Sequence, residues 1–175
     1  MSERGRILVA SDSGTFLLRF VGDVRLTLCV AIDDYLQQMF CDPDFEAVVV
    51  DLSEAQGLDS TSLGLLVKLA QETLRQTGKE ALLLTKDGDV HGALQSVGVD
   101  ELFEITSAVT SSVVASSAVV KEVNSSPLEC ASDDLKEERA IRKRVLEAHQ
   151  RLMALNEANA AAFKDLVAQL EALGS

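Results

Sequence analysis

The run Ala47-Val48-Val49-Val50-Asp51-Leu52 limits the possible folds more than any other stretch of the chain. It is rich in β-branched residues, too brief for a helix and apolar without alternation, a pattern that suits a strand buried on both faces and placed centrally in a sheet. After it comes the polar segment Ser53-Glu54-Ala55-Gln56-Gly57-Leu58-Asp59-Ser60, which reads as a loop. From Thr61 to Gln76, Leu65, Leu66, Leu69 and Leu74 then repeat at helical spacing until Gly78 ends the pattern. A central strand, a loop and an amphipathic helix in that order make one βα unit.

The flanking sequence repeats the alternation. Ile7–Ala10 and Thr15–Val21 bracket the turn-prone Ser11-Asp12-Ser13-Gly14 and predict a β-hairpin. Leu26, Cys29, Val30, Ile32, Leu36 and Met39 predict a first helix that stops before Asp42-Pro43. Downstream, a strand at Ala81–Thr85, a short helix at Val90–Val97 closed by Gly98, and a strand at Leu102–Ile105 follow. The expected class is α/β, with a mixed, largely parallel sheet beyond the opening hairpin and helices packed on it.

Thr110–Val123 predicts one more helix, and Asn124-Ser125-Ser126-Pro127 a linker. Asp133–Leu173 lacks Gly and Pro, and Val145, Leu152, Leu155, Ala162, Leu166 and Leu173 form an apolar stripe near heptad spacing. As one continuous helix of roughly 40 residues it would be about 60 Å long at about 1.5 Å per residue. Its stripe has to fold back on the domain, pair with another helix or bind a partner. Asn159 on the stripe and Asn156 beside it favour helix-to-helix contact, since a polar residue at a core-facing position specifies pairing. The expected organisation is a domain over 1–123, a linker over 124–132 and a helical extension over 133–173.

Charge narrows the function. A net charge of −12 repels nucleic-acid phosphates and anionic membranes alike. The densest basic stretch, Lys136, Arg139, Arg142, Lys143 and Arg144, is interleaved with Glu137, Glu138 and Glu147 and reads as a solvated helix face. Cys29, Cys41 and Cys130 have neither disulfide-framework nor zinc-site spacing, and Cys29 suits a buried free thiol. With no apolar signal region at the amino terminus and no apolar run of spanning length, a cytoplasmic location is expected. A protein partner, rather than a nucleic acid or a membrane, is the expectation.

The richest constellation is Asp59-Ser60-Thr61-Ser62-Leu63-Gly64, at the start of the second helix. Taken locally, Asp59 or Ser60 is a helix N-cap, whose side-chain oxygen accepts a free N–H of the first turn. The wider arrangement resembles the STAS family, and within it the bacterial anti-sigma-factor antagonists. That resemblance covers roughly Ile7 to Ile105. The family's strand-ending Asp-Leu-Ser is matched by Asp51-Leu52-Ser53, and its Asp-Ser-(Ser/Thr)-Gly-Leu-Gly by Asp59 to Gly64, with Ser62 where glycine is usual. Val21-Gly22-Asp23 and Ser96-Val97-Gly98-Val99 resemble two further family segments.

The resemblance implies partner switching: the unmodified serine face binds an anti-sigma factor, a serine kinase breaks the complex by phosphorylation, and a phosphatase restores it. By position the acceptor is Ser60, with Thr61 and Ser62 as alternatives, and the implied binding surface comprises Gly22, Asp23, Ser53, Asp59, Ser60, Thr61 and Leu63. A different family role, that of a constitutive scaffold or a subunit of a transporter or signalling complex, fits the helical extension too. Residues 133–173 would then serve a second partner or self-association.

Catalysis and cofactors are not expected. The sequence has no G-x-S-x-G elbow, no phosphate-loop signature, and only His91 and His149 as imidazole bases. Asp87, Asp89, Asp100 and Glu101 read as solvated rather than as a metal loop.

Overall fold

A computed structural model describes residues 4–106, 121–123 and 134–174. Among them six strands form one sheet in the order β5-β4-β3-β2-β1-β6. The strands are β1 Arg6–Asp12, β2 Thr15–Val24, β3 Ala47–Leu58, β4 Ala81–Leu84, β5 Phe103–Thr106 and β6 Lys121–Val123. The helices are α1 Leu26–Phe40, α2 Ser60–Thr77, α3 Asp89–Val97, α4 Asp134–Leu155 and α5 Glu157–Leu173.

The opening hairpin closes through Ser13 and Gly14, both at positive φ (49° and 82°), between the paired Asp12 and Thr15. Two such residues make the tight turn whose twist matches the flanking strands. Beyond it, β2–β3, β3–β4 and β4–β5 all pair in parallel, as the alternation of strands and helices requires. Leu18, Val50 and Leu83 lie side by side across three strands and are fully buried. They meet Cys29, Ile32 and Leu36 of α1 and Leu66, Val67 and Leu69 of α2 in one core. Each buried Leu or Val there stabilises by roughly 1.5–3 kcal/mol relative to exposure. Ala10, Leu17, Val49 and Leu84 form a smaller apolar cluster of their own.

The structure departs from the sequence expectations in three places. First, β3 does not end at Leu52: the polar segment expected as a loop continues as a strand to Leu58. Val21 to Val24 of the longer β2 supply its parallel partner, with Gly22 opposite Ala55 and Val24 opposite Leu58. The pairing shifts register twice, and Gly22 takes a φ of 72° there, a conformation that glycine adopts without steric cost. Second, Lys121–Val123 is not the end of a helix but strand β6, antiparallel to β1 with Val123 opposite Ile7. The rest of that expected helix, the linker and Cys130 lie outside the described residues.

Third, the extension is not one continuous helix. It breaks at Asn156, whose extended backbone (φ −161°, ψ 164°) and side-chain bond from the Asn159 N–H, 2.8 Å, start α5 anew. The break resets the helical phase. Leu152 is fully buried in the main core and Asn159 is buried as its place on the stripe predicts, but the expected stripe residues Ala162, Leu166 and Leu173 are exposed, and Val167 is buried instead. The two helices pack on each other as a hairpin, and α4 also packs along α2. Of the three fates open to the stripe, two are observed together, helix-to-helix pairing and folding back on the domain.

Candidate partner-binding site

Asp59 organises the start of α2. It is the N-cap residue, and one carboxylate oxygen accepts the Ser62 N–H at 2.8 Å and the Ser62 hydroxyl at 2.7 Å. The other accepts the N–H of Leu26, the first residue of α1, at 2.6 Å. One carboxylate therefore satisfies orphan donors at two helix amino termini, where the helix dipoles also favour its charge. Of the two cap candidates, Asp59 is the cap, and the Ser60 side chain is left for other contacts.

The three hydroxyls that follow are not equivalent. Ser62 is 0% and Thr61 5% exposed, and the Ser62 oxygen lies within 3.6 Å of the Cys29 sulfur, beneath α1. Burial raises the Cys29 thiol from its ordinary 9.0 to about 12, the contact with Ser62 pulling weakly the other way. Ser60 is only partly buried. Of the three acceptors named from sequence, it is the one nearest solvent.

Ser60 is nonetheless engaged. Its Oγ lies 2.8 Å from Nε2 of His149 on α4, a residue 2% exposed. The Nδ1 of that ring is 2.6 Å from the Val145 carbonyl, which can only accept, so Nδ1 carries a proton. In the neutral imidazole Nε2 is then an acceptor, and the Ser60 hydroxyl donates to it. Phe163 of α5 stacks edge-on against the same ring, centroids 5.2 Å apart. His149 is thus buried against Ser60. The one local hint was its spacing, four residues after Val145 and three before Leu152.

Further contacts fasten α4 along α2 and α1. A Cβ on Gly64 would fall 2.5 Å from both the Cβ and the carbonyl oxygen of Ala148, so the two helices touch backbone to backbone there. Arg144 bonds Asp33 at 3.1 Å and Asp34 at 2.8 Å on α1, while Lys68 of α2 bonds Asp33 at 2.5 Å. The space enclosed between Asp33, Gly64, Lys68, Arg144 and Ala148 is about 10 Å³, the size of one water. At the far end, Asn159 donates to the Val97 and Leu152 carbonyls at 2.8 and 2.9 Å. Arg144, expected as part of a solvated face, instead pairs with the domain.

The other expected site residues divide. Asp23 bonds Arg25 at 2.7 Å and pairs with Gly57 on β3, close to Asp59, whose N–H is 3.4 Å from the Val24 carbonyl. Gly22, Asp23, Asp59 and Ser60 thus gather at one end of the β2–β3 ribbon. Ser53 lies apart, six residues back along β3, roughly 20 Å of extended chain. Thr61 and Leu63 are both buried.

Among the described residues no cluster of three or more His, Cys, Asp or Glu is placed to hold a metal ion, and no helix is long and apolar enough to cross a membrane. A family model for the STAS domain matches residues 6–112, more than half of the chain. No curated protein matches the sequence.

Proposed function

We propose that this chain, which belongs to the STAS domain family, is a phosphorylation-controlled anti-sigma-factor antagonist of the cytoplasm that captures an anti-sigma factor through the start of α2. Ser60 is the phosphoacceptor, and Asp23, Asp59 and the first turn of α2 are the centre of the surface. The observation that carries this is the division of the hydroxyls: Thr61 and Ser62 are buried, while Ser60 lies at the rim and caps nothing. A phosphate there adds about −1.5 to −2 charge and three acceptor oxygens without removing a structural bond of the domain's own helix starts.

A hydroxyl donating to a buried imidazole is also the arrangement of an activated serine nucleophile. Asp59 argues against acyl chemistry here. Its carboxylate already takes the Ser62 N–H, a first-turn donor that would otherwise stabilise an oxyanion, and places negative charge where more would develop.

The hairpin over Ser60 favours a second reading, a constitutive STAS scaffold or a subunit of a transporter or signalling complex. A phosphate-affinity gel of the protein from growing cells separates the two. A shifted band that disappears in Ser60→Ala, together with an anti-sigma factor recovered by pull-down and mass spectrometry, supports the antagonist. One unshifted band under all growth conditions supports the scaffold.

A further inference from the structure

We infer that the α4–α5 hairpin is a ligand in cis for the Ser60 face of α2, and that phosphoserine at position 60 expels it. The inference rests on the proposed phosphorylation of Ser60 and adds the element on which the phosphate first acts.

The hairpin sits where a partner reading Ser60 has to sit. His149 takes the Ser60 hydroxyl, Ala148 fills the space above Gly64, and Arg144 neutralises Asp33 and Asp34 one helical turn before. A helix with a small residue at one position and an arginine four residues earlier is therefore the kind of ligand this face fits. The same features describe the helix that an incoming partner would have to present or displace.

The contact has no slack for a phosphate. The His149 ring is held at 2.8 Å from Ser60 on one side and 2.6 Å from the Val145 carbonyl on the other, with Phe163 against its edge. A tetrahedral group with three oxygens does not fit between Ser60 and that ring at this spacing, so either Ser60 turns away and gives up the His149 contact or α4 moves, and the backbone contact at Gly64 leaves α4 little room for a local adjustment. The Asp59 carboxylate, bonded to the Ser62 N–H, adds like-charge repulsion. An imidazolium at His149 would attract the phosphate, and this opposing effect is what the experiment measures.

The hairpin is also built to leave. Its apolar contacts are Leu152 and Ala148, with Leu155 and Phe163 packed against the core, and the rest are polar: Arg144 to Asp33 and Asp34, Arg151 to Gln71 at 3.0 Å, and Asn156 and Asn159 to the Val97 carbonyl. Intrachain interfaces of this polar kind permit relative motion of the parts they join.

The test uses the full chain with phosphoserine installed at position 60 during translation, so that no kinase is needed, and compares its amide hydrogen exchange with that of the unmodified protein. Peptides from 134–173 are expected to exchange about tenfold faster or more in the phosphorylated chain, while β2 and β3 keep their protection. Ala148→Glu, unmodified at Ser60, provides the reference for an opened hairpin. Unchanged or increased protection of 134–173 would show that the hairpin stays docked beside the phosphate, and overturns the proposal. So does loss of protection throughout the sheet, which would mean that the phosphate unfolds the domain. Because the phosphate is supplied directly, a failure of this coupling is distinct from the finding that cells never phosphorylate Ser60.

Discussion

Asp59 accepts the backbone N–H of Leu26 at 2.6 Å across 33 residues of sequence, and through its second oxygen caps α2 as well. Asp59→Ala loses a cap and leaves a second helix-start donor unpaired, so a loss of about 2 kcal/mol is expected. Urea unfolding should show a lower midpoint with an unchanged slope. A change within about 0.5 kcal/mol, ordinary for surface substitutions, would mean that solvent replaces both bonds freely.

Ser60 and His149 should be energetically coupled. Because Asp59 and not Ser60 provides the cap, Ser60→Ala costs no cap but leaves the buried Nε2 of His149 without its partner, an effect of about 1–3 kcal/mol. Ser60→Ala, His149→Ala and the double variant form a cycle whose interaction energy should be about 1 kcal/mol. Strict additivity would show that the hydroxyl and the ring are neighbours without being partners.

These relations mark the limit of what the sequence discloses. The order of strands and helices was legible because each element carries its own period: Val48 to Val50 are consecutive and β-branched, and Leu65, Leu66 and Leu69 of α2 recur on its buried face, with Leu74 exposed. The ribbon over Ser53–Leu58 was not, since its stability comes from Val21–Val24 of another strand. The break at Asn156 had a local signal, an asparagine in N-cap position before Glu157, but an uninterrupted heptad count runs straight through it. Ser60 is singled out in the sequence by its motif. Its contact with His149, 89 residues away, depends on how the hairpin docks and leaves only a weak mark on spacing.

Two glycines should respond to alanine with opposite sign. Gly92 lies within α3, and a Cβ there would meet nothing within 4 Å, so Gly92→Ala should stabilise by about 0.5–1 kcal/mol through helix propensity. Gly64 lies within α2 against Ala148, so Gly64→Ala should destabilise by about 1–3 kcal/mol as α4 is forced away. Thermal unfolding of the two variants side by side checks the contrast. A stabilised Gly64→Ala would show that the hairpin yields at little cost.

Cys29 should be chemically silent where Cys41 is not. Burial pushes the Cys29 thiol up to about 12, whereas Cys41 is exposed. At about pH 8, iodoacetamide should modify Cys41 in the native protein and Cys29 only after unfolding, as tandem mass spectrometry of the peptides would show. The same shift has a signed effect on stability. The unfolded thiol ionises near its ordinary 9.0 and the folded one near 12, so stability is intact below 9.0 and declines as pH rises above it. Cys29→Ala should flatten that alkaline decline, and a decline of equal steepness in the variant would assign it to other groups.

Removing the hairpin tests whether residues beyond the STAS match are separable. A chain ending at Pro127 keeps β1 to β6 and α1 to α3, and with them the row Leu18, Val50 and Leu83 and its cover from α1 and α2. It loses Leu152 from the core, a cost of about 1.5–3 kcal/mol, together with the contact of Ala148 on Gly64. The expected product is folded but less stable, with β3 amides still protected from hydrogen exchange and the first turn of α2 newly exposed. Bared of its own helix, that face should bind any partner that reads Ser60 more tightly than the full chain does, because no cis ligand has to be displaced. Calorimetry with the partner recovered by pull-down measures the difference. Equal affinity would mean that the hairpin leaves the partner's surface free, and an aggregated or unfolded truncation would show that α4 belongs to the core.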